Sequence, residues 1–245
     1  MMKTLLLSAA LVAAGTIGSA QAFNGAELGL ELGLLNDTEE SVTNYYGGVE
    51  FSVYREFGVA LDARSASTSA FSENSNSITF HGIYTGGPAG TRVGLYFSGD
   101  SFDDVEVDVF GAEAGYNFGQ GDVEAYIGSG DYNDDEGDLT FFGVEGSYAI
   151  GSGFGVIGGF DYISGEVGVL DLTSTKVEIG GTYEVANQVE VFGKVGRLES
   201  ELGGNAGSST VDDIFVSFGA EIGFGPNAGL SFSPRNDFSN MPLLF

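Results

Sequence analysis

Thirteen carboxylates stand in this chain within segments of alternating polarity: Glu27, Glu31, Glu50, Asp62, Glu113, Glu124, Glu145, Asp161, Glu178, Glu184, Glu190, Asp213 and Glu221. In extended backbone, residues two apart share a face, so these acids project opposite to an apolar row. On their own face they meet only Arg64, Arg92, Lys176 and Lys194, together with His81, usually neutral. Four cations cannot pair thirteen carboxylates one to one. A dry interior would charge each unpaired ion a heavy desolvation cost, so the surplus either keeps water or takes up protons. Hydration is the simpler outcome. It implies an aqueous compartment of negative potential that concentrates cations and excludes anions. Gly29, Gly33, Gly48, Gly115, Gly219 and Gly223 fall on the same face and are expected to leave room for that water. The alternative is a narrow interior closed by its own polar network, with no conduction.

Two other chemistries are weighed. His81 is the only histidine and could serve a Ser–His–acid hydrolase acting on lipid. Its neighbours Phe80, Gly82 and Ile83 form no nucleophile motif, and a lone histidine within a strand reads as a hydrogen-bonded lining residue. The run Asp131-Tyr132-Asn133-Asp134-Asp135-Glu136-Gly137-Asp138 is dense in oxygen ligands. Asp131, Asn133, Asp135 and Asp138 could hold Ca²⁺, yet Glu136 stands where a calcium-binding loop of the EF-hand type needs glycine. Asp37, Glu39, Glu40, Asp100, Asp103 and Asp104 are similar in character. All read as a solvated, like-charged rim. No cofactor is expected.

The elements that must position these residues are strands. From Phe110 to Gly130, Ala112, Ala114, Tyr116 and Phe118 alternate with Glu113, Gly115 and Asn117. Beyond the turn at Gly119–Asp122, Val123, Ala125 and Ile127 alternate with Glu124, Tyr126 and Gly128. This is a hairpin whose arms have the length of tilted strands crossing a bilayer. Comparable segments recur from Ala26 to Phe224, about twelve in all, with a range of ten to fourteen. Their connections alternate between tight turns and longer acidic or polar stretches, among them Gly99 to Asp104 and Ser200 to Ser209. The reading is an all-β chain folded as a closed antiparallel transmembrane β-barrel, with short periplasmic turns and longer acidic extracellular loops. Tyr84, Tyr116, Phe118, Tyr148 and Tyr183 near strand ends suit an aromatic girdle.

Lys3, the apolar run Leu5–Ile17 and Ala20-Gln21-Ala22 read as a signal peptide over 1–22, giving export through the Sec pathway and a barrel over 23–224. The net charge of −27 repels phosphate backbones and excludes nucleic acid as a partner, and the lack of cysteine excludes a disulfide framework.

Tyr116…Val123-Glu124-Ala125-Tyr126 and Tyr183…Val189-Glu190-Val191-Phe192 resemble the repeated hairpins of small Gram-negative outer-membrane barrels of the porin-like and OmpA-like superfamily. Ser217-x-Gly219-x-x-Ile222-x-Phe224 is similar to the signal that delivers such proteins to the barrel-assembly machinery. The resemblance implies an outer membrane, with lipid and lipopolysaccharide around the barrel. It also implies either a small porin passing cations or small solutes, or a non-conducting structural or adhesive barrel. One departure is that residues 225–245, with Pro226, Pro234 and Pro242, follow that signal. They read as a tail against the periplasmic rim or plugging it. A periplasmic lipid-binding barrel would reverse the two faces. A monomer suits so small a chain.

Overall fold

The computed structural model describes residues 23–36, 40–69, 74–102, 105–132, 137–167, 170–204 and 207–235. The segment read as a signal peptide lies outside them. Twelve strands follow in order: β1 Phe23–Leu35, β2 Ser41–Tyr54, β3 Phe57–Thr68, β4 Asn74–Tyr84, β5 Thr91–Phe102 and β6 Val105–Asn117, then β7 Gly121–Tyr132, β8 Gly137–Gly151, β9 Phe154–Val167, β10 Leu170–Ala186, β11 Val189–Gly204 and β12 Gly207–Phe224. Each pairs antiparallel with its neighbours in sequence, and β1 closes on β12 through the register Ala26↔Phe224 to Leu35↔Phe215. The closed antiparallel barrel is therefore as the alternation predicts, and no strand edge is left to pair with another chain.

Alternation sets the two faces. Outward, every strand exposes at least two large apolar side chains, such as Leu30 and Leu32 on β1 or Val216 and Phe218 on β12. A soluble surface does not carry such a continuous greasy belt. At the short-turn rim, rings meet across strands: Phe57 with Tyr84 (centroids 5.0 Å), Phe154 with Tyr183 (4.6 Å) and Phe118 with Tyr148 (6.4 Å). The turns there are tight, and Arg55, Ser152 and Gln188 take positive φ in them.

At the opposite rim the strands outrun the alternation. β5 continues to Phe102, and β11 and β12 remain paired as far as Gly204↔Gly207. Segments expected as loops, Gly99–Asp104 and Ser200–Ser209, are thus largely strand. Ser208, Ser209 and Thr210 show why: above the apolar belt both faces meet water, so the hydropathy signal vanishes while backbone pairing goes on.

Inside the long-loop half, β5 to β10 turn apolar residues inward. Phe102, Val107, Val109, Leu139, Phe141, Ile163 and Leu172 pack with Tyr96 and Tyr126 into a buried cluster. On β6 the polarity is inverted, with Glu106 and Asp108 exposed beside buried Val107 and Val109. After β12 the chain reverses at Gly225 (φ 81°) and re-enters the barrel as residues 226–235. Gly25 and Gly223 of the wall make room for it; a Cβ at either would overlap the carbonyl oxygen of Gly229 or Ala228.

Candidate functional site

The lumen is built in storeys. In the short-turn half, a cavity of about 360 Å³ is lined by eight carboxylates (Glu27, Glu31, Asp122, Glu124, Glu145, Glu178, Glu190, Glu221) and by the cations Arg64, Arg92, Lys176 and Lys194. An adjoining rim cavity of about 380 Å³ adds Glu184. In the long-loop half, bordering the apolar cluster at Phe102, a smaller cavity of about 130 Å³ lies among Leu34, Leu35, Val42, Phe102, Leu198 and Phe215.

Glu31, Arg64, Lys176 and Glu178 line both the first and the smaller cavity, and they belong to one ion-pair network across the lumen. Lys194 Nζ lies 3.0 Å from Glu31 and 3.3 Å from Glu178. Lys176 Nζ lies 3.1 Å from Glu178 and 4.0 Å from Asp161, and Arg64 stands 3.9 Å from Glu31. Three of the four predicted cations are spent here, and alternating sign holds β1, β3, β9, β10 and β11 in one charged layer. The fourth, Arg92, forks onto Asp122 at 2.7 and 2.6 Å and reaches Glu124 at 3.4 Å.

The surplus of acid is located below that layer. Glu184 stands opposite Glu190, Glu190 opposite Glu221, and Glu124 opposite Glu145 in the strand register. Like charges directly opposite repel, so these pairs call for counter-ions or protons. None of the ion pairs among the described residues involves Glu145, Glu184, Glu190 or Glu221. Tyr46 donates its hydroxyl to Glu221 at 2.9 Å, and Tyr126 donates to Asp161 at 2.7 Å. Asp213 is buried and accepts the Asn36 amide at 2.9 Å.

His81 is fully buried, with Nε2 2.7 Å from Asp62 and Nδ1 2.7 Å from Glu113. Both nitrogens are committed to carboxylates, which leaves neither to take a proton from a serine. The ring clamps two acids of β3 and β6 together.

The tail supplies a fifth cation that strand alternation does not find. Arg235 is buried, 3.0 Å from Glu113 and 3.1 Å from Glu124, with its Cζ 4.2 Å above the Tyr126 ring. Phe232 stacks on His81 (6.2 Å, 10° between planes), and Arg92 lies over the other aromatic edge at 5.1 Å. The backbone amide and hydroxyl of Ser231 both donate to Glu50, and the Leu230 amide donates to Glu27. The only sequence signal for this was the imbalance itself: an excess of acid asks for a base outside the strands. Asp122 and Asp100, assigned to a turn and a loop by alternation, are also inward residues, and Asp100 is buried.

The lumen-facing glycines do not hold water as expected. A Cβ at Gly29 would overlap the Tyr46 ring, at Gly115 the Arg92 guanidinium and at Gly219 the Phe192 ring, while Gly48 faces Leu230 of the tail and Gly223 faces the tail backbone. Only at Gly33 are the neighbours at ordinary contact distance, 3.7 Å or more. The missing side chains seat large ones from the next strand, a packing role that alternation cannot distinguish from a void. Of the proposed calcium ligands, Asn133 and Asp135 lie outside the described residues, as do Asp37, Glu39, Asp103 and Asp104. Asp131 and Asp138 are exposed cross-strand neighbours. Among the described residues no cluster of three or more metal-ligating side chains is formed.

The profile of the Gram-negative porin family matches residues 11–231. The chain belongs to this family. Solved structures agree on the fold at low identity. The NanC porin is 8% identical over 80% of this chain and 98% of its own, with a TM-score of 0.62. An outer membrane channel from Pseudomonas putida F1 is 10% identical over 85% and 99%, with a TM-score of 0.58. The KdgM porin is 10% identical over 81% and 99%, with a TM-score of 0.52. No curated protein matches the sequence. The porin is thus a channel for small solutes in a Gram-negative outer membrane, and not an enzyme; His81 is an architectural residue of its lumen.

Proposed function

We propose that this porin passes small cations and cationic solutes, selected by the acidic cavity of its short-turn half. The observation that carries the reading is the set of carboxylates Glu145, Glu184, Glu190 and Glu221, each facing another acid across the strand register while the lumen's cations are engaged with other carboxylates. Low-dielectric walls focus such a field and raise the local cation concentration. One solved structure is of the KdgM porin in complex with disordered oligogalacturonate, a polyanion. Eight carboxylates around the main cavity here oppose a ligand of that charge, so likeness of fold does not carry the solute across.

The tight-turn rim is read as periplasmic, with the signal peptide routing the chain through the Sec pathway. The barrel-assembly machinery and lipopolysaccharide are the partners during insertion and afterwards. In planar bilayers with a KCl gradient, the purified protein is expected to give a reversal potential of the sign set by K⁺. An anion-selective reversal potential, or the absence of unitary current, would remove the reading. The apolar cluster and the inserted tail favour a second reading, in which the resting lumen is closed.

A further inference from the structure

The lumen contains a guanidinium site already in use. Arg235 places one terminal nitrogen on Glu113 and the other on Glu124, beneath the Tyr126 ring and 5.8 Å from that of Tyr96. We propose that this cage is a binding site for small alkylguanidinium solutes, and that Arg235 on its tail is a tethered occupant which such solutes displace. The inference rests on the cation-passing reading above and gives it a solute class.

Three observations carry it. First, the wall supplies its own support to the cage, beside the Ser233 amide of the tail that donates to Glu124. His81 fixes Glu113 from behind and is itself fixed by Asp62, while Arg92 contacts Glu124. Second, the cage opens on the main cavity: Glu124, Arg92 and the tail residues Phe232 and Ser233 line that cavity. Third, the tail fits its seat imperfectly. Arg235 Nε is buried without a hydrogen-bond partner, while the Ser77 hydroxyl donates to the Arg235 carbonyl (3.0 Å) and anchors its backbone. A free guanidinium is not bound by that stem and can turn to use all its donors. Withdrawing Arg235 leaves buried Glu113 only its His81 bond and Glu124 only Arg92 at 3.4 Å, so tail release and solute binding are coupled.

The test uses the full chain in planar bilayers, with methylguanidinium chloride as probe in a KCl background. Arg235→Ala is expected to raise unitary conductance roughly two-fold by clearing the lumen, and methylguanidinium to lower it again by refilling the cage. Arg235→Lys keeps the charge but loses the fork, and should respond to less methylguanidinium than the unmodified protein does. The chain has no cysteine, so a Gly48→Cys/Leu230→Cys pair, at a wall position where an added Cβ would meet the Leu230 side chain, can lock the tail by a disulfide once formation of the bond is verified by thiol titration. The oxidised pair should ignore the probe and regain its response on reduction. Probe effects no larger than those of added KCl in both Arg235 variants, or a probe response in the oxidised pair, would overturn the proposal. Reversal potentials from the same bilayers separate the two ideas. Anion preference with probe block intact removes the permeation reading alone, whereas cation preference without probe block removes the cage.

Discussion

Asp62 and Glu113 share one imidazole, and that single ring decides how two buried acids coexist. A proton on each nitrogen of His81, or on one of the partner carboxyls, satisfies both 2.7 Å bonds. Removing the ring takes from each acid its 2.7 Å bond, and breaking a buried charged network by deleting one partner is strongly destabilising. His81→Leu is therefore expected to lower the stability of the folded barrel by about 3 kcal/mol, read as a drop in the urea midpoint in lipid vesicles. An unchanged midpoint would mean that the acids do not need the ring. The ionic layer is the second lesson at this scale. Lys194 and Lys176 each touch two acids, so a one-to-one pairing of charges misjudges how far four cations reach.

Strands are the next scale, and their lengths exceed what the membrane asks for. β12 has 18 residues and β10 has 17, whereas a tilted crossing needs roughly nine to eleven. The lower part of β12 carries Val216, Phe218 and Ile222 outward; the upper part carries Ser208, Ser209 and Thr210. The two parts should answer differently to one insult. Phe218→Arg is expected to cost about 2–4 kcal/mol of insertion free energy, and Ser209→Arg about 0–1. Equilibrium folding into phosphatidylcholine vesicles reads both; equal costs would place the lipid belt elsewhere on the strand.

At the scale of the whole molecule, charge and closure act together. A closed wall of paired backbone can stand in lipid, and it traps whatever its inner face carries. Because the inner charge is fixed and the permeating solution is salt, selectivity depends on screening. The Debye length falls from about 10 Å at 0.1 M to about 3 Å at 1 M salt, so cation preference should weaken steeply over that range at a constant KCl gradient ratio. A reversal potential independent of ionic strength would show that selection is steric and not electrostatic. The tail belongs to this scale too, because its contacts join residues more than a hundred positions apart, such as Glu113 and Arg235.

Period-two alternation made about twelve antiparallel strands and a closed barrel legible, since burial against lipid forces one face to be apolar throughout. The same signal was blind wherever a residue's role is set by something beyond its own strand. Gly29 and Gly219 read as voids because a missing side chain looks alike whether water or a Tyr46 or Phe192 ring fills it. The start of β12 was lost because both of its faces there are exposed, and the end of β5 because buried Phe102 breaks the acid-in, apolar-out pattern. The inward Val107 and Val109 mark a place where the barrel interior is itself a core. Arg235 lies in a segment with no period at all; only the closed barrel, by bringing β6 and β7 over the returning chain, gave it two carboxylates to bind.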